Sequence, residues 1–211
     1  TVRVNVTDLA GNHNESSVRF TVDIDPPAVA FISPTEGSYS TSNTTFVEWL
    51  AEDSGSGIAL VQVSLDGVNW TTAWSGSYLT PVLDEGPATF HVRATDLAGN
   101  TGPASTAHSF VVDTDPPGSQ VTAGPGQRHS SAAISVEFDS ADQDASFECR
   151  LDSLDDADWQ GCASPFEATG LTHGKHEFQV RASDPAGNVQ PAPTTLDFGI
   201  DTSPQYEVTG R

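Results

Sequence analysis

Apolar residues return at every second position along most of this chain. Val47, Trp49 and Ala51, then Val61, Val63 and Leu65, then Phe90, Val92 and Ala94 sit at i, i+2 and i+4, which is the spacing of strands that bury one face. The pattern returns in Val136, Phe138 and Ser140, in Phe147, Cys149 and Leu151, and in Phe178, Val180 and Ala182. No segment carries apolar residues at helical spacing, so the sequence predicts an all-β chain. Between the runs lie turn residues. In Asp-x-Ala-Gly-Asn the glycine supplies a positive φ and the Asp or Asn bonds its own backbone, which predicts the loop between the last two strands of a sandwich. Gly55 and Gly57 mark another loop, between the second and third strands. Pro26-Pro27 and Pro116-Pro117 end one sheet and begin the next, because proline cannot donate to a ladder and restricts the residue before it.

The same phrase occurs three times, as TDLAGN from Thr7, TDLAGN from Thr95 and SDPAGN from Ser183, at a fixed step of 88 residues. A period near 90 residues is too long for a solenoid unit and fits a small β-sandwich. The sequence therefore predicts tandem Ig-like Greek-key β-sandwiches: residues 1–26 as the last two strands of a preceding repeat plus a linker, 27–115 and 116–203 as complete domains, and 204–211 as the start of another repeat. Two strands alone bury too little apolar surface to be stable, so residues 1–24 need a covering element, from the same polypeptide or from another molecule. Aligning the two complete units pairs Leu83 with Leu171, Gly86 with Gly174, Trp70 with Trp159, Asp53 with Asp142, and Val63 with Cys149.

The linkers DIDPP and DTDPP, the loop DSGSGI, the segment from Leu65 to Trp70, the cysteine-bearing FECRLD and the run HVRATDLAGN together resemble the bacterial Ig-like repeats of large extracellular adhesins and of surface proteins in other microbes, including algae. The resemblance covers nearly the whole chain. It implies seven-strand sandwiches in tandem, an extracellular, cell-surface location, and calcium between neighbouring domains.

Charge narrows the partners. The formal net charge is −21, with Lys175 the only lysine, so nucleic acid and anionic membranes are electrostatically disfavoured and cations are favoured. Much of this acidity also serves as ordinary surface charge. Cys149 and Cys162, the only cysteines, flank a turn-rich segment and predict a disulfide across a hairpin, in an oxidising compartment. That bridge staples a core position rather than making the fold possible. Sequons at Asn5, Asn14, Asn43 and Asn69 are possible glycosylation sites. No apolar stretch is long enough to span a membrane.

The candidate chemistry lies where one sandwich meets the next. In an Ig-type sandwich the B–C and F–G loops share a pole with the entering chain, so a linker meets the loops of the domain that follows it. For the first junction this predicts Ca²⁺ ligands at Asp23, Asp25, Asp53, Asp96 and Asn100, and for the second at Asp113, Asp115, Asp142, Asp184 and Asn188. Linker carboxylates at i and i+2 project to one side of an extended chain, which predicts that both approach the loops. All-oxygen ligands on irregular loops suit Ca²⁺ better than Zn²⁺ or Mg²⁺. The bland alternative is that each aspartate caps its own turn.

Other candidates carry less. Trp49 has core spacing and Trp70 recurs as Trp159, leaving Trp74 as the one tryptophan to test for stacking on a surface glycan. His173 and His176 match no zinc spacing. No nucleophile elbow, phosphate loop or metalloprotease helix is present. The sequence therefore predicts a non-enzymatic spacer with neighbouring repeats as its partners. The alternatives are a glycan-binding accessory module and a filament subunit assembled by strand complementation.

Overall fold

A computed structural model of the chain describes residues 1–73, 76–105 and 107–203. Trp74 and the segment 204–211, with its expected new repeat, lie outside the described residues. The chain divides into two compact units: Thr1–Gly37, Thr44–Leu83 and Pro87–Phe110 form one, and Ser38–Asn43, Asp84–Gly86 and the chain from Val111 onward form the other. Both are all-β.

In the first unit, β1 (Val2–Thr7) and β2 (His13–Val18) make an antiparallel hairpin, Val2 opposite Val18. Its residues are all exposed, as expected of two strands with no second layer. Along the chain next come β3 (Ala28–Ser33), β4 (Tyr39–Ser40), which belongs to the second unit, β5 (Phe46–Glu52), β6 (Ile58–Ser64), β7 (Thr71–Thr72), β8 (Ser77–Leu79), β9 (Gly86–Asp96) and β10 (His108–Val112), whose last two residues belong to the second unit. Strands β3, β5 and β8 form one sheet in that order, and β9 lies between β10 and β6, with β7 on the outer side of β6. The alternating residues point inward: Val47, Trp49, Val63, Phe90, Val92 and Ala94 are buried together, with Val29, Phe31 and Tyr78 packed on them. The Phe90 side chain has no exposed surface, and burial of such a group stabilises by about 2–3 kcal/mol.

The second unit holds β11 (Gln120–Ala123), β12 (Ile134–Asp139), β13 (Ser146–Leu151), β14 (Gln160–Cys162), β15 (Phe166–Ala168), β16 (Gly174–Ser183) and β17 (Thr194–Ile200), with a short 3-10 turn at Asp156–Asp158. One sheet runs β11-β12-β15 and the other β14-β13-β16-β17. Val136, Phe138, Cys149, Phe178, Val180, Phe198 and Ile200 form its core. In the same unit the end of β10 pairs parallel with β4, Val111 with Tyr39.

Register fixes equivalences that sequence alignment alone only suggests. Val63 faces Val92 across β6 and β9, and Cys149 faces Val180 across β13 and β16, so Cys149 occupies the valine's core position. Its disulfide to Cys162 ties β13 to β14. Trp70 lies under the Arg93 guanidinium at 4.1 Å, and Trp159 lies under those of Arg150 and Arg181, each at 4.4 Å. Both tryptophans are thus structural cation–π platforms. Among the described residues no helix is long and apolar enough to cross a membrane.

Candidate metal centre

Both candidate sites begin with the same turn. The backbone N–H of Asn100 donates to Asp96 Oδ1 at 2.8 Å, and the Asn100 side-chain amide donates to Asp96 Oδ2 at 2.7 Å. Asn188 repeats this on Asp184, at 2.8 and 2.9 Å, and Asn12 on Asp8, at 2.9 Å for both bonds. Gly99 and Gly187, at φ +95° and +98°, supply the left-handed residue the turn requires. Asp96 and Asp184 are buried, with 2% and 9% exposure, and a buried carboxylate needs such donors. Burial pushes the Asp184 carboxyl up, but the hydrogen bonds from Asn188, Gly187 and Ala186 together outweigh it and hold the group below its ordinary range.

The turn then catches the linker. A side-chain N–H of Asn100 also donates to the backbone carbonyl of Asp23 at 3.0 Å, and one of Asn188 to that of Asp113 at 2.9 Å. Each asparagine amide therefore spends its donors on a latch, one on the turn aspartate and one on the incoming main chain. For Asn100 and Asn188, predicted as metal ligands, the contacts in the structure are these donations.

At the first linker the latch is joined by carboxylates. Asp23 Oδ2 accepts from the Ser56 N–H at 2.6 Å, and the Ser56 hydroxyl oxygen accepts from Ala98 N–H at 3.1 Å, which ties the B–C loop to the F–G turn. A Cβ on Gly55 would collide with the Asp23 carboxyl group, so only glycine leaves room for the linker side chain there. Hydrogen bonds from Ser56 hold the Asp23 carboxyl below its usual range. Asp53 Oδ2 accepts from Gly55 and Gly57 N–H at 3.0 and 2.6 Å. Asp23, Asp53 and Asp96 each bring a carboxylate oxygen within 4.8 Å of the others. Asp53 Oδ1 is buried and has no hydrogen-bond partner.

That orphan oxygen is informative. Three carboxylates this close repel by about 3 kcal/mol per pair at an effective dielectric of about 20, and a buried acceptor with no donor adds a further cost. A hard divalent cation removes both, and the donor set is oxygen only, so the residues fit Ca²⁺.

Not every predicted ligand joins. Asp25 is exposed; its N–H donates to Asp23 Oδ1 at 3.2 Å, so the linker folds back on one carboxylate instead of presenting two to the loops. Asp115 behaves alike toward Asp113, at 3.4 Å. At the second linker, Asp113 and Asp184 meet only through Asn188, and Asp142 is exposed, its Oδ1 accepting from Asp144 N–H at 3.0 Å. Among the described residues, no group of three metal-capable side chains forms there. The cause is the loop. Asp53 lies ten residues before core Val63, but Asp142 lies only seven before its equivalent Cys149, and Asp-Gln-Asp-Ala-Ser has no glycine where the first loop has two. The expectation that both junctions are chemically alike is thereby corrected.

The seating of Asp23 by Ser56 and Gly55 escaped the sequence reading, which took Gly55 as a loop marker; the glycine spacing in DSGSG was the available signal. Asn5, Asn14, Asn43 and Asn69 are exposed, with the Asn69 amide donating to Asp66 at 2.6 Å. His176 is buried against Asp152 and the Thr172 carbonyl.

Residues 27–102 match the bacterial Ig domain family. Among solved structures, the fibronectin(III)-like modules of Clostridium thermocellum CbhA match at TM-score 0.54 and 14% identity, over 87% of this chain and 100% of that one. The FN1-FN3 domains of chicken CNTN1 match at TM-score 0.51 and 18% identity, over 93% and 74%. At these identities the likeness concerns the fold. No curated protein matches the sequence.

Proposed function

We propose that this chain, whose residues 27–102 match the bacterial Ig domain family, is a non-enzymatic structural segment of an extracellular, cell-surface adhesin, stalk or filament, in which Ig-like repeats divided at about residues 26, 115 and 203 are stiffened by Ca²⁺ at the joint around Asp23. One observation carries the metal: Asp53, whose carboxylate lies within 4.8 Å of those of Asp23 and Asp96, keeps a buried oxygen, Oδ1, without a hydrogen-bond partner. Asp23, Asp53 and Asp96 hold the ion, and Asn100 positions two of them. The ion supplies charge neutralisation and ties the linker, the B–C loop and the F–G turn together. Neighbouring repeats of the same polypeptide are the partners. The acidity and the disulfide support a secreted setting.

The test is calorimetric titration of Ca²⁺ into chelator-treated chain, with small-angle scattering before and after. Binding at one site per chain, abolished by Asp53→Asn and accompanied by a narrower distribution of dimensions, is the expected result. No heat on titration, or heat that survives Asp53→Asn, would reject the site.

A further inference from the structure

The outer face of the β3-β5-β8 sheet breaks the rule its own sequence pattern sets. In an antiparallel sheet with one face on the core, the other face is ordinarily polar. Here Val47, Trp49 and Tyr78 point inward, yet the outward positions carry Ala30 and Ile32 on β3, Phe46 and Leu50 on β5, and Leu79 on β8. Ile32, Phe46, Leu50 and Leu79 are 58%, 61%, 50% and 48% exposed. The register makes them neighbours: Ala30 pairs with Leu50, Phe46 with Leu79, and Ile32 sits at the irregularity beside Glu48. They form one patch rather than scattered singles, and contiguous exposed apolar surface marks a site of association.

The second unit supplies the control. Its β11-β12-β15 sheet has the same order and register, and the positions equivalent to Phe46, Leu50 and Leu79 are Ser135, Asp139 and Glu167. All three are exposed. The same architecture in the same chain thus tolerates a polar, acidic outer face, so the apolar one is not a requirement of the fold.

Charge selects the occupant. Along β5 the outward residues run Phe46, Glu48, Leu50, Glu52, with acidic and apolar groups alternating about 6–7 Å apart. Neither glutamate has a cationic partner among the described residues, and the outward positions of β3, β5 and β8 include no Lys or Arg. A second copy of this face would set Glu48 and Glu52 against their own counterparts, on chains that each carry −21. We propose that the outer face of β3-β5-β8 docks a segment of another protein that presents apolar side chains with Lys or Arg between them, the apolar groups covering Phe46, Leu50 and Leu79 and a cation meeting Glu48.

The test uses a fluorescently labelled synthetic amphipathic peptide of leucine and lysine, titrated into the whole chain and followed by anisotropy. The comparison is the variant Phe46→Ser, Leu50→Asp, Leu79→Glu, which copies the second unit's outer face onto the first at exposed positions and so leaves the core intact. This variant carries two more carboxylates than the wild type. Attraction by diffuse charge alone would strengthen binding to it, whereas loss of the apolar face weakens binding by roughly tenfold or more. Glu48→Gln should weaken binding severalfold and lessen its salt dependence. No binding to the wild type, equal or tighter binding to the triple variant, or a wild-type chain that sediments as a dimer while the triple variant is a monomer would each overturn the proposal.

Discussion

Asp53→Asn places a neutral amide of nearly the same shape where three carboxylates converge, and its consequences have opposite signs with and without metal. The side-chain oxygen of the asparagine still accepts the Gly55 and Gly57 N–H groups that hold Asp53 Oδ2. Its NH₂ takes the place of the oxygen that has no partner and, unlike that oxygen, carries no negative charge. Two of the three repulsive pairs vanish. Each amounts to about 3 kcal/mol at an effective dielectric of about 20, but Asp23 and Asp53 are only half-buried, and salt screens exposed charge. A net gain of about 1–3 kcal/mol in chelator is expected, which raises the first unit's melting temperature by at least about 5 °C.

With Ca²⁺ the order inverts. At a hundred times the dissociation constant, a ligand bound only by the native state stabilises it by about 2.7 kcal/mol, which the wild type gains and the variant does not. Thermal unfolding followed by the near-ultraviolet signal of Trp49, which is buried in the first core, measures both arms, and the transition of the second unit serves as the reference. A variant less stable than wild type in chelator would refute the repulsion argument. A variant that gains as much from Ca²⁺ as the wild type would refute the ligand assignment.

Three further outcomes follow from the same geometry. Gly55→Ala should drive the Asp23 carboxylate off the Ser56 N–H and weaken Ca²⁺ binding by roughly tenfold or more, read by titration, while the equally conservative Ala145→Gly in the other loop leaves binding unchanged. Asn188→Ala strips Asp184 of a donor and frees the Asp113 carbonyl, so the second unit should lose about 1–3 kcal/mol in urea unfolding, with or without metal. His176 has the Thr172 carbonyl at 2.8 Å and Asp152 at 2.6 Å on its two nitrogens, and these, the carbonyl first, raise its pKa above 6.5. The stability it contributes is therefore complete below about pH 6.5 and declines as pH rises through the higher folded-state value. Urea midpoints between about pH 5 and pH 9 should show that fall, and His176→Gln should flatten it.

The β alternation and three core strands in each unit were legible from spacing along the chain, whereas the convergence of Asp23, Asp53 and Asp96 followed from the Ig-type topology, in which the B–C and F–G loops share a pole with the entering chain. Trp70 and Trp159 could likewise be matched from sequence; Arg93 and Arg181 above them occupy matching registers, while Arg150 stands where the first unit has Ser64. The Asp142 error has a physical source. Pairing aspartate with aspartate ignores how far each stands from its strand, and three missing residues close the second loop on itself. The linker error is similar: a period-two projection holds for an extended segment, but Asp23 accepts its neighbour's N–H and leaves Asp25 outside. The apolar outer face was in view as Phe46 and Leu50, out of phase with Val47 and Trp49. A run with apolar residues in both phases does not declare which face is inside; only the register with β3 and β8 does.

The two linkers share the latch and differ in the carboxylates, and this separates two tasks that a single metal site would merge. Asn100 and Asn188 hold the linker carbonyls at 3.0 and 2.9 Å, a neutral hydrogen bond indifferent to calcium. The first linker adds the Ser56 N–H bond to Asp23; the asparagine latch is common to both. Neutral bonds of this kind contribute about 1 kcal/mol each, enough to choose a position and too little to resist a pull. With Ca²⁺ bound as proposed, the Asp23 cluster would add a term that depends on cation concentration at the first joint. The second loop lacks the two glycines of the first and leaves Asp142 exposed, so the proposed brace applies to the first joint. On this reading chelation loosens the first joint and leaves the second as it was, so scattering from Asp53→Asn should coincide with that of the chelated wild type, whereas Asp142→Asn should change neither profile.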